Sequence, residues 1–195
     1  MPSSNNPSFP PHGLWDRRLS EAVCPDLQPV ETLHENPWYA VRNRGGYFTV
    51  EYHLRHVAVL PVVNDDSVVM VRAKRPVIGD LPLEFAAGGV EDGEDPAVAA
   101  ARELLEETGI EVTERDRFVA MPPIAVSSTR MPKLSYVFRV NVSEQEFAKR
   151  LPHDDEIHSV SRVAILDLPG MMARGEIYVS VPLAILGVFL VSRRA

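Results

Sequence analysis

Acidic side chains are concentrated in one short part of the chain. Between residues 91 and 111, eight carboxylates accompany a single basic side chain, Arg102. The carboxylates belong to Glu91, Asp92, Glu94, Asp95, Glu103, Glu106, Glu107 and Glu111. The whole 195-residue chain has a formal net charge of -7, the same as this part alone, so the remainder is neutral overall. Such a patch is either a solvated face or a site where a cation offsets the repulsion.

Three of these glutamates have the spacing of neighbours on one side of a helix. Glu103 lies four residues before Glu107 and three before Glu106, so the carboxylates project toward a common side and repel one another when unpaired. Carboxylate oxygens beside a main-chain carbonyl are the ligands that Mg²⁺ or Mn²⁺ prefers. Gly88 and Gly89 allow the main chain to approach an ion closely. The spacing predicts a divalent-metal site, with a solvated alanine-rich helix as the alternative.

The helix that carries these glutamates is predicted over Pro96–Glu107. Asp95 can cap its start, proline suits its first position, and Gly109 can end it. Its buried side is predicted to contain Val98, Ala101, Leu104 and Leu105. Arg102 can hold Glu94 at the helix start and leave the other carboxylates free for metal.

The remaining pattern predicts more strands than helices. Two β-prone runs, Trp38–Arg42 and Tyr47–Tyr52, flank a turn with two glycines and predict a hairpin. Further strands are predicted over His56–Val63, Ser67–Arg72, Leu83–Ala87, Phe118–Val126, Leu134–Val142 and His158–Leu166, and helices over Leu168–Arg174 and Pro182–Ser192. This order of strands and helices along the chain predicts an α+β fold, with a mixed sheet between α-helices and a small N-terminal antiparallel β element.

The domain prediction separates an N-terminal extension from one folded unit. Residues 1–37 are the extension, whose first thirteen residues are rich in Pro, Ser and Asn and are expected to be disordered or to lie on the surface. Residues 38–195 form the folded domain, with the hairpin at 38–55. The acidic balance gives no electrostatic attraction to nucleic acid or to an anionic membrane. A single cysteine and the lack of a signal peptide or a long apolar stretch predict a cytoplasmic protein.

The acidic segment resembles the signature of the Nudix hydrolase family, G-x5-E-x7-R-E-U-x-E-E-x-G-U, in which U is a bulky aliphatic residue. The chain fills every fixed position, with Gly88, Glu94, Arg102, Glu103, Leu104, Glu106, Glu107, Gly109 and Ile110. The resemblance implies the Nudix fold and hydrolysis of a pyrophosphate that links a nucleoside to another group, with divalent metal and attack of water at phosphorus.

The resemblance also implies roles for individual residues. Glu103, Glu107 and the carbonyl of Ala87 would be metal ligands, and Glu106 would be a ligand or would orient the attacking water. Structural roles are implied for Gly88, Glu94, Arg102 and Gly109. The metal is expected to be Mg²⁺ or Mn²⁺, because paired metals neutralise charge on phosphate oxygens and activate water. Bound metal would also let an acidic protein hold a pyrophosphate.

The flanks of the signature are similar to those of ADP-ribose pyrophosphatases, in which an Arg-Pro pair precedes a Leu-Glu-x-x-Ala-Gly run. Arg75-Pro76 and Leu83-Glu84 with Ala87-Gly88 take these places. The substrate implied is ADP-ribose or a related nucleoside diphosphate sugar. NADH, coenzyme A and dinucleoside polyphosphates are alternatives, as is a non-catalytic nucleotide-binding regulator. Enzymes of this group commonly pair through an N-terminal sheet, which implies a homodimer.

Three further residues outside the signature are candidates for the site. Arg75 ends a strand close to the signature and can contact substrate. Arg130 stands where some relatives have a Pro-Gly turn and an acidic residue, and it either contacts a phosphate or sugar oxygen or is a surface residue. In related enzymes a glutamate from a late loop moves in as catalytic base, a role that Glu156 would take here unless its loop is only a polar connection.

Overall fold

The computed structural model describes Leu19 and residues 24–193. Its strands are β1 (Val30–Glu35), β2 (Tyr39–Arg44), β3 (Tyr47–Tyr52), β4 (Arg55–Val63), β5 (Ser67–Ala73), β6 (Leu83–Glu84), β7 (Ala87–Val90), β8 (Val119–Ile124), β9 (Ser135–Val142) and β10 (Ile157–Ala164). Its helices are α1 (Pro96–Thr108), α2 (Glu144–Ala148), α3 (Leu168–Ala173) and α4 (Ser180–Ser192). The segment expected to be disordered, residues 1–13, lies outside the described residues.

The predicted hairpin is present as β2 and β3, and a third strand joins it. β1 pairs with β2 and β2 with β3, all antiparallel. The turn between β2 and β3 contains Gly45 and Gly46 at positive φ, and the Asn43 side chain accepts a hydrogen bond from the amide of Gly46. β1 lies within the predicted extension and was not predicted, because its two apolar residues, Val30 and Leu33, do not alternate with polar ones and all six residues are exposed.

The larger sheet has the order β10-β5-β4-β9-β8. β4 and β9 are parallel, and the other neighbours are antiparallel. β4 and β5 pair with each other only at Val62 and Val63, and beyond that point they separate. β7 then pairs with β4, and β6 with β5. The single strand predicted over Leu83–Ala87 is therefore wrong, because this segment crosses the gap between two diverging strands.

Each face of the larger sheet is covered by helices. Along β4, Val57 and Val59 face the cluster that includes Leu104 of α1, whereas Ala58 and Leu60 face the cluster that contains Leu186 and Phe189 of α4. All these side chains are buried, as expected for a strand between two helical layers. The mixed sheet between helices confirms the predicted α+β class. No helix in residues 24–193 is long and apolar enough to cross a membrane.

The start and end of α1 confirm the predicted caps. The Asp95 side chain accepts a hydrogen bond from the amide of Ala97, and Gly109 ends the helix with φ 70°. The predicted buried side is partly wrong, because Val98 is 46% exposed whereas Glu103 is 8% exposed. The buried residues of α1 are Ala97, Ala99, Ala100, Glu103, Leu104 and Thr108. The helix thus turns part of its acidic side toward β7, which it contacts.

A buried carboxylate strengthens the three-stranded sheet. Glu51 on β3 is 4% exposed and accepts hydrogen bonds from Arg42 at 2.6 Å, Arg44 at 2.5 Å and Thr49 at 2.7 Å. Burial alone raises the pKa of Glu51, but the hydrogen bonds from Arg44, Thr49 and Arg42 outweigh it and lower the pKa to about 2. The carboxylate is therefore charged and compensated on both oxygens.

Candidate active site

Gly88 allows the first glutamate of the site to lie against the main chain. A Cβ added at Gly88 would lie 2.1 Å from Glu103 Oε1 and 2.2 Å from Glu103 Cδ. Any side chain at position 88 would therefore displace the carboxylate. Burial raises the pKa of Glu103 despite the opposing hydrogen bond from Arg102. The absence of a side chain at residue 88 thus creates the space in which a partly desolvated carboxylate faces the β7 backbone.

Arg102 lies at the centre of the acidic patch. Its Nη2 donates to the carbonyl of Gly89 at 2.7 Å and to Glu94 at 3.1 Å. Its Nη1 donates to Glu103 at 2.7 Å and to Glu106 at 3.2 Å. The predicted contact with Glu94 is present, but Glu103 and Glu106 are not left free as expected. One guanidinium instead offsets part of the repulsion among three carboxylates.

Glu107 is the least compensated acid of the site. Its Oε2 is buried and has no hydrogen-bond partner in the described part of the chain. Burial, followed by the charge of Glu103, raises the pKa of Glu107 to about 8. The hydrogen bond from the amide of Ala87 and the charge of Arg75 act in the opposite direction but are outweighed. A buried carboxylate oxygen without a donor is costly unless a cation or a proton joins it. This oxygen is the observation that best fits a bound cation.

The three glutamates of α1 do not form a ready-made cation cluster. Among residues 24–193, no three acidic, histidine or cysteine side chains stand close enough together to hold an ion. Arg102 contacts Glu103 and Glu106, whereas Glu107 accepts a hydrogen bond from the amide of Ala87. The donor set of hard oxygens fits Mg²⁺ or Mn²⁺.

Arg75 lies next to the glutamates but is already paired. Its Nε and Nη2 donate to the two oxygens of Glu84, both at 3.0 Å. The hydrogen bond to Glu84 is the main cause that raises the pKa of Arg75, and the charges of Glu107 and Glu156 add to it. Arg75 therefore lies within range of the charges of Glu107 and Glu156, although the side chain of Glu156 is exposed.

Arg130 faces the three-stranded sheet instead. Its Nη1 donates to the carbonyl of Phe48 at 3.3 Å, and its own carbonyl accepts from the amide of Val50 at 2.8 Å. Lys133, in the same loop, donates to the carbonyl of His53 at 2.6 Å. These contacts fasten the loop before β9 onto β3 and the residues that follow it. The predicted role of Arg130 in substrate binding stays a prediction.

A cavity of about 240 Å³ reaches the start of β7 at Ala87. Glu84 and Ala87 lie in its wall, and its polar groups include Tyr52, His56 and Lys133. Most other lining residues are apolar: Val50, Val57, Ala58, Phe85, Val126, Met131, Leu134, Val179, Val181 and Pro182. Burial, with the nearby charge of Lys133, lowers the pKa of His56. A largely apolar cavity with a few polar groups is typical of a small-molecule site.

Sequence reasoning missed the polar residues of this cavity. Burial lowers the pKa of Lys133, and the charge of Arg55 acts in the same direction. Tyr52 and His56 are four residues apart, but Lys133 comes from a distant part of the chain, and none of the three belongs to a motif. A signal was present only for Lys133, as a single basic residue just before the apolar start of β9. The fold is needed to bring the three together.

Comparison with known proteins gives matches to one family. The family model for the NUDIX domain matches residues 53–180. An ADP-sugar pyrophosphatase of Mus musculus is 47% identical over 73 residues, which is 34% of this chain and 34% of that protein. An ADP-ribose pyrophosphatase of Bacillus subtilis (strain 168) is 30% identical over 129 residues, 65% of this chain and 66% of that protein. A methanol dehydrogenase activator of Bacillus methanolicus is 40% identical over 68 residues, 35% of this chain and 37% of that protein.

These matches agree with the family signature, which runs from β7 through α1 and has every fixed position filled. The chain spans about a third of the length of the mouse and B. methanolicus relatives. The matched domain covers β4 through the start of α4, which includes every glutamate of the site. Nudix hydrolases generally use divalent metal ions. From the matched domain and the geometry of its signature, the chain belongs to the Nudix family and is similar to its ADP-sugar and ADP-ribose pyrophosphatases.

Proposed function

We propose that this protein hydrolyses the pyrophosphate bond of ADP-ribose or a related nucleoside diphosphate sugar. The observation that carries the proposal is the buried oxygen of Glu107 that finds no hydrogen-bond partner among residues 24–193, near Glu103, whose carboxylate lies against Gly88. In the reaction, water adds to one phosphorus and the bridging P–O bond breaks. The products are a nucleoside monophosphate and a sugar phosphate. The relatives named for ADP-sugar and ADP-ribose support this choice of substrate.

The residues that would hold Mg²⁺ or Mn²⁺ are Glu103, Glu107 and the carbonyl of Ala87, with Glu106 as a ligand or as the residue that orients water. A bound divalent ion supplies charge neutralisation on the phosphate oxygens and lowers the pKa of water. Arg102 and, through it, Glu94 hold the β7 backbone and α1 together, since Arg102 joins Glu94 to the carbonyl of Gly89.

The remaining roles belong to residues around the metal site. Glu156 would accept the proton of the attacking water, because its carbonyl is bonded to Lys74, next to Arg75, and its segment is bonded to the carbonyl of Glu106. Arg75, held by Glu84, would place a guanidinium near the diphosphate. The cavity that begins at Glu84 and Ala87 would receive one end of the substrate against its apolar wall. Arg130 would reach a phosphate or sugar oxygen only by leaving its contact with β3.

The proposal also includes a homodimer in the cytoplasm. The three-stranded sheet and its β1–β2 turn expose several large apolar or aromatic side chains: Val30, Leu33, Trp38, Tyr47 and Phe48. An apolar surface of this kind suits a twofold contact with a second copy. Light scattering at micromolar concentration should therefore give twice the mass of 21.7 kDa. The chain has a single cysteine, Cys24, and therefore cannot form an internal disulfide, which supports a location in the reducing cytoplasm.

The decisive assay is release of AMP from ADP-ribose with Mg²⁺ present. Glu107→Gln should reduce kcat by on the order of 100-fold or more, because the metal loses a charged ligand. Glu111→Gln is the matched control, since Glu111 follows the signature and is exposed. NADH, coenzyme A and dinucleoside polyphosphates test the other substrates through relative kcat/KM. Tight ADP-ribose binding without turnover at saturating Mg²⁺ would contradict the enzyme and favour a nucleotide-binding regulator.

A further inference from the structure

The chain segment at residues 151–156 is docked on the C-terminal end of α1. The amide of Leu151 donates to the carbonyl of Gly109 at 2.9 Å, and the amide of Asp154 donates to the carbonyl of Glu106 at 2.9 Å. Carbonyls in the last turn of a helix lack an intrahelical donor and need another partner. Here the partner is the segment that contains Glu156. The end of the glutamate-bearing helix and this segment therefore share hydrogen bonds.

The docking depends on the absence of a side chain at residue 109. A Cβ on Gly109 would lie 1.9 Å from the carbonyl oxygen of Leu151 and 2.8 Å from its carbonyl carbon. Both are main-chain atoms, so the segment would have to move as a whole. Gly109 also has φ 70°, a conformation that favours glycine. One residue thus ends α1 and leaves room for the segment.

Lys74 holds the other end of the segment. Its amide donates to the carbonyl of Glu156 at 2.9 Å, and its Nζ donates to the carbonyl of Asp155. Lys74 directly precedes Arg75, the residue on whose pKa both Glu107 and Glu156 act. Main-chain bonds therefore attach the residues around Glu156 to α1 on one side and to the end of β5 on the other.

We infer that Lys74 and Gly109 are positioning residues that hold Glu156 beside Arg75 and the α1 glutamates. The inference rests on the proposed function, in which Glu156 accepts a proton from water. It differs from a glutamate that moves in from a loose loop, because hydrogen bonds hold the segment at both ends. Neither positioning residue needs to touch the substrate. Each acts through the place it gives to Glu156.

The test compares Lys74→Met with Lys149→Met, a control at an exposed lysine that follows α2. Lys74→Met keeps an unbranched side chain but removes the donor to Asp155. We expect kcat for ADP-ribose to fall roughly tenfold with KM nearly unchanged, because the proton acceptor is misplaced while substrate contacts remain. Hydrogen exchange at the amides of Asp154 and Ile157 should become faster in this variant and not in the control.

A double-mutant cycle with Glu156→Gln separates positioning from general damage. Glu156→Gln alone should lower kcat, and adding Lys74→Met to it should cause no further loss. Equal losses in both backgrounds would overturn the inference, as would an unchanged exchange rate. Full kcat in Glu156→Gln would also overturn it and leave the metal-site function standing. Faster exchange with no turnover of any substrate would support the docking while refuting the proposed function.

Discussion

Alanine at position 109 should destabilise the fold far more than alanine at another glycine with the same backbone conformation. Gly175, which follows α3, has φ 73°, close to the 70° of Gly109. An added Cβ at Gly175 meets no described atom within 4 Å, whereas at Gly109 it meets the carbonyl oxygen of Leu151 at 1.9 Å. The two variants therefore share the cost of a left-handed alanine and differ in the collision.

The contacts at the two glycines set the size of the difference in unfolding free energy between the two variants. The left-handed conformation costs alanine about 1 kcal/mol at either site. At Gly109 the 151–156 segment must also retreat by roughly 1.5 Å to reach an ordinary contact distance, which breaks its two hydrogen bonds to α1. Each broken bond costs about 1 kcal/mol. Gly109→Ala should lose about 3 kcal/mol of unfolding free energy, against about 1 kcal/mol for Gly175→Ala.

Urea unfolding of both variants and the wild type at pH 7 measures this difference. A domain of this size has an unfolding free energy of about 5 to 15 kcal/mol, so both variants should still fold in water. Thermal midpoints should follow the same order. Equal losses for the two alanines would refute the reasoning, because they would show that the segment yields to the new methyl group without cost.

Three further substitutions test other contacts. Glu51→Gln should lower the free energy of unfolding by about 3 kcal/mol at pH 7, because the pKa of Glu51 is about 2 in the folded protein and 4.5 normally. Urea titrations should show that this advantage of the wild type shrinks as the pH falls from 4.5 toward 2. Gly88→Ala should displace Glu103 and weaken Mn²⁺ binding about tenfold or more by calorimetry, with the circular dichroism unchanged. Asp95→Ala removes a helix cap and should cost about 1 kcal/mol in urea unfolding, and no loss would contradict that cap.

The local parts of this fold could be predicted from the sequence, whereas parts set by distant partners could not. The ends of α1 depend on neighbours in the chain, Asp95 and Gly109, and both are where they were predicted. Which side of α1 is buried depends on β7, and Val98 is therefore exposed despite its apolar side chain. β1 has no apolar alternation, and only its pairing with β2 makes it a strand.

The candidate site shows the same division. The identity of the glutamates followed from their spacing and from the family signature. Their environments did not, because the burial of Glu107 and the paired contacts of Arg102 depend on how the β7 backbone lies against α1. The cavity could not be predicted either, since His56 and Lys133 are brought together by the parallel pairing of β4 with β9.

The fastening of the loop before β9 onto β3 affects how this protein can be recombined with its relatives. Val50 and Tyr52 of β3 line the cavity, and Val50 is also bonded to Arg130 of that loop. Replacing the N-terminal sheet with that of a relative would therefore change the cavity wall and also free the loop before β9. In chimeras, the three-stranded sheet and this loop should be exchanged as a matched pair if ligand preference is to be transferred intact.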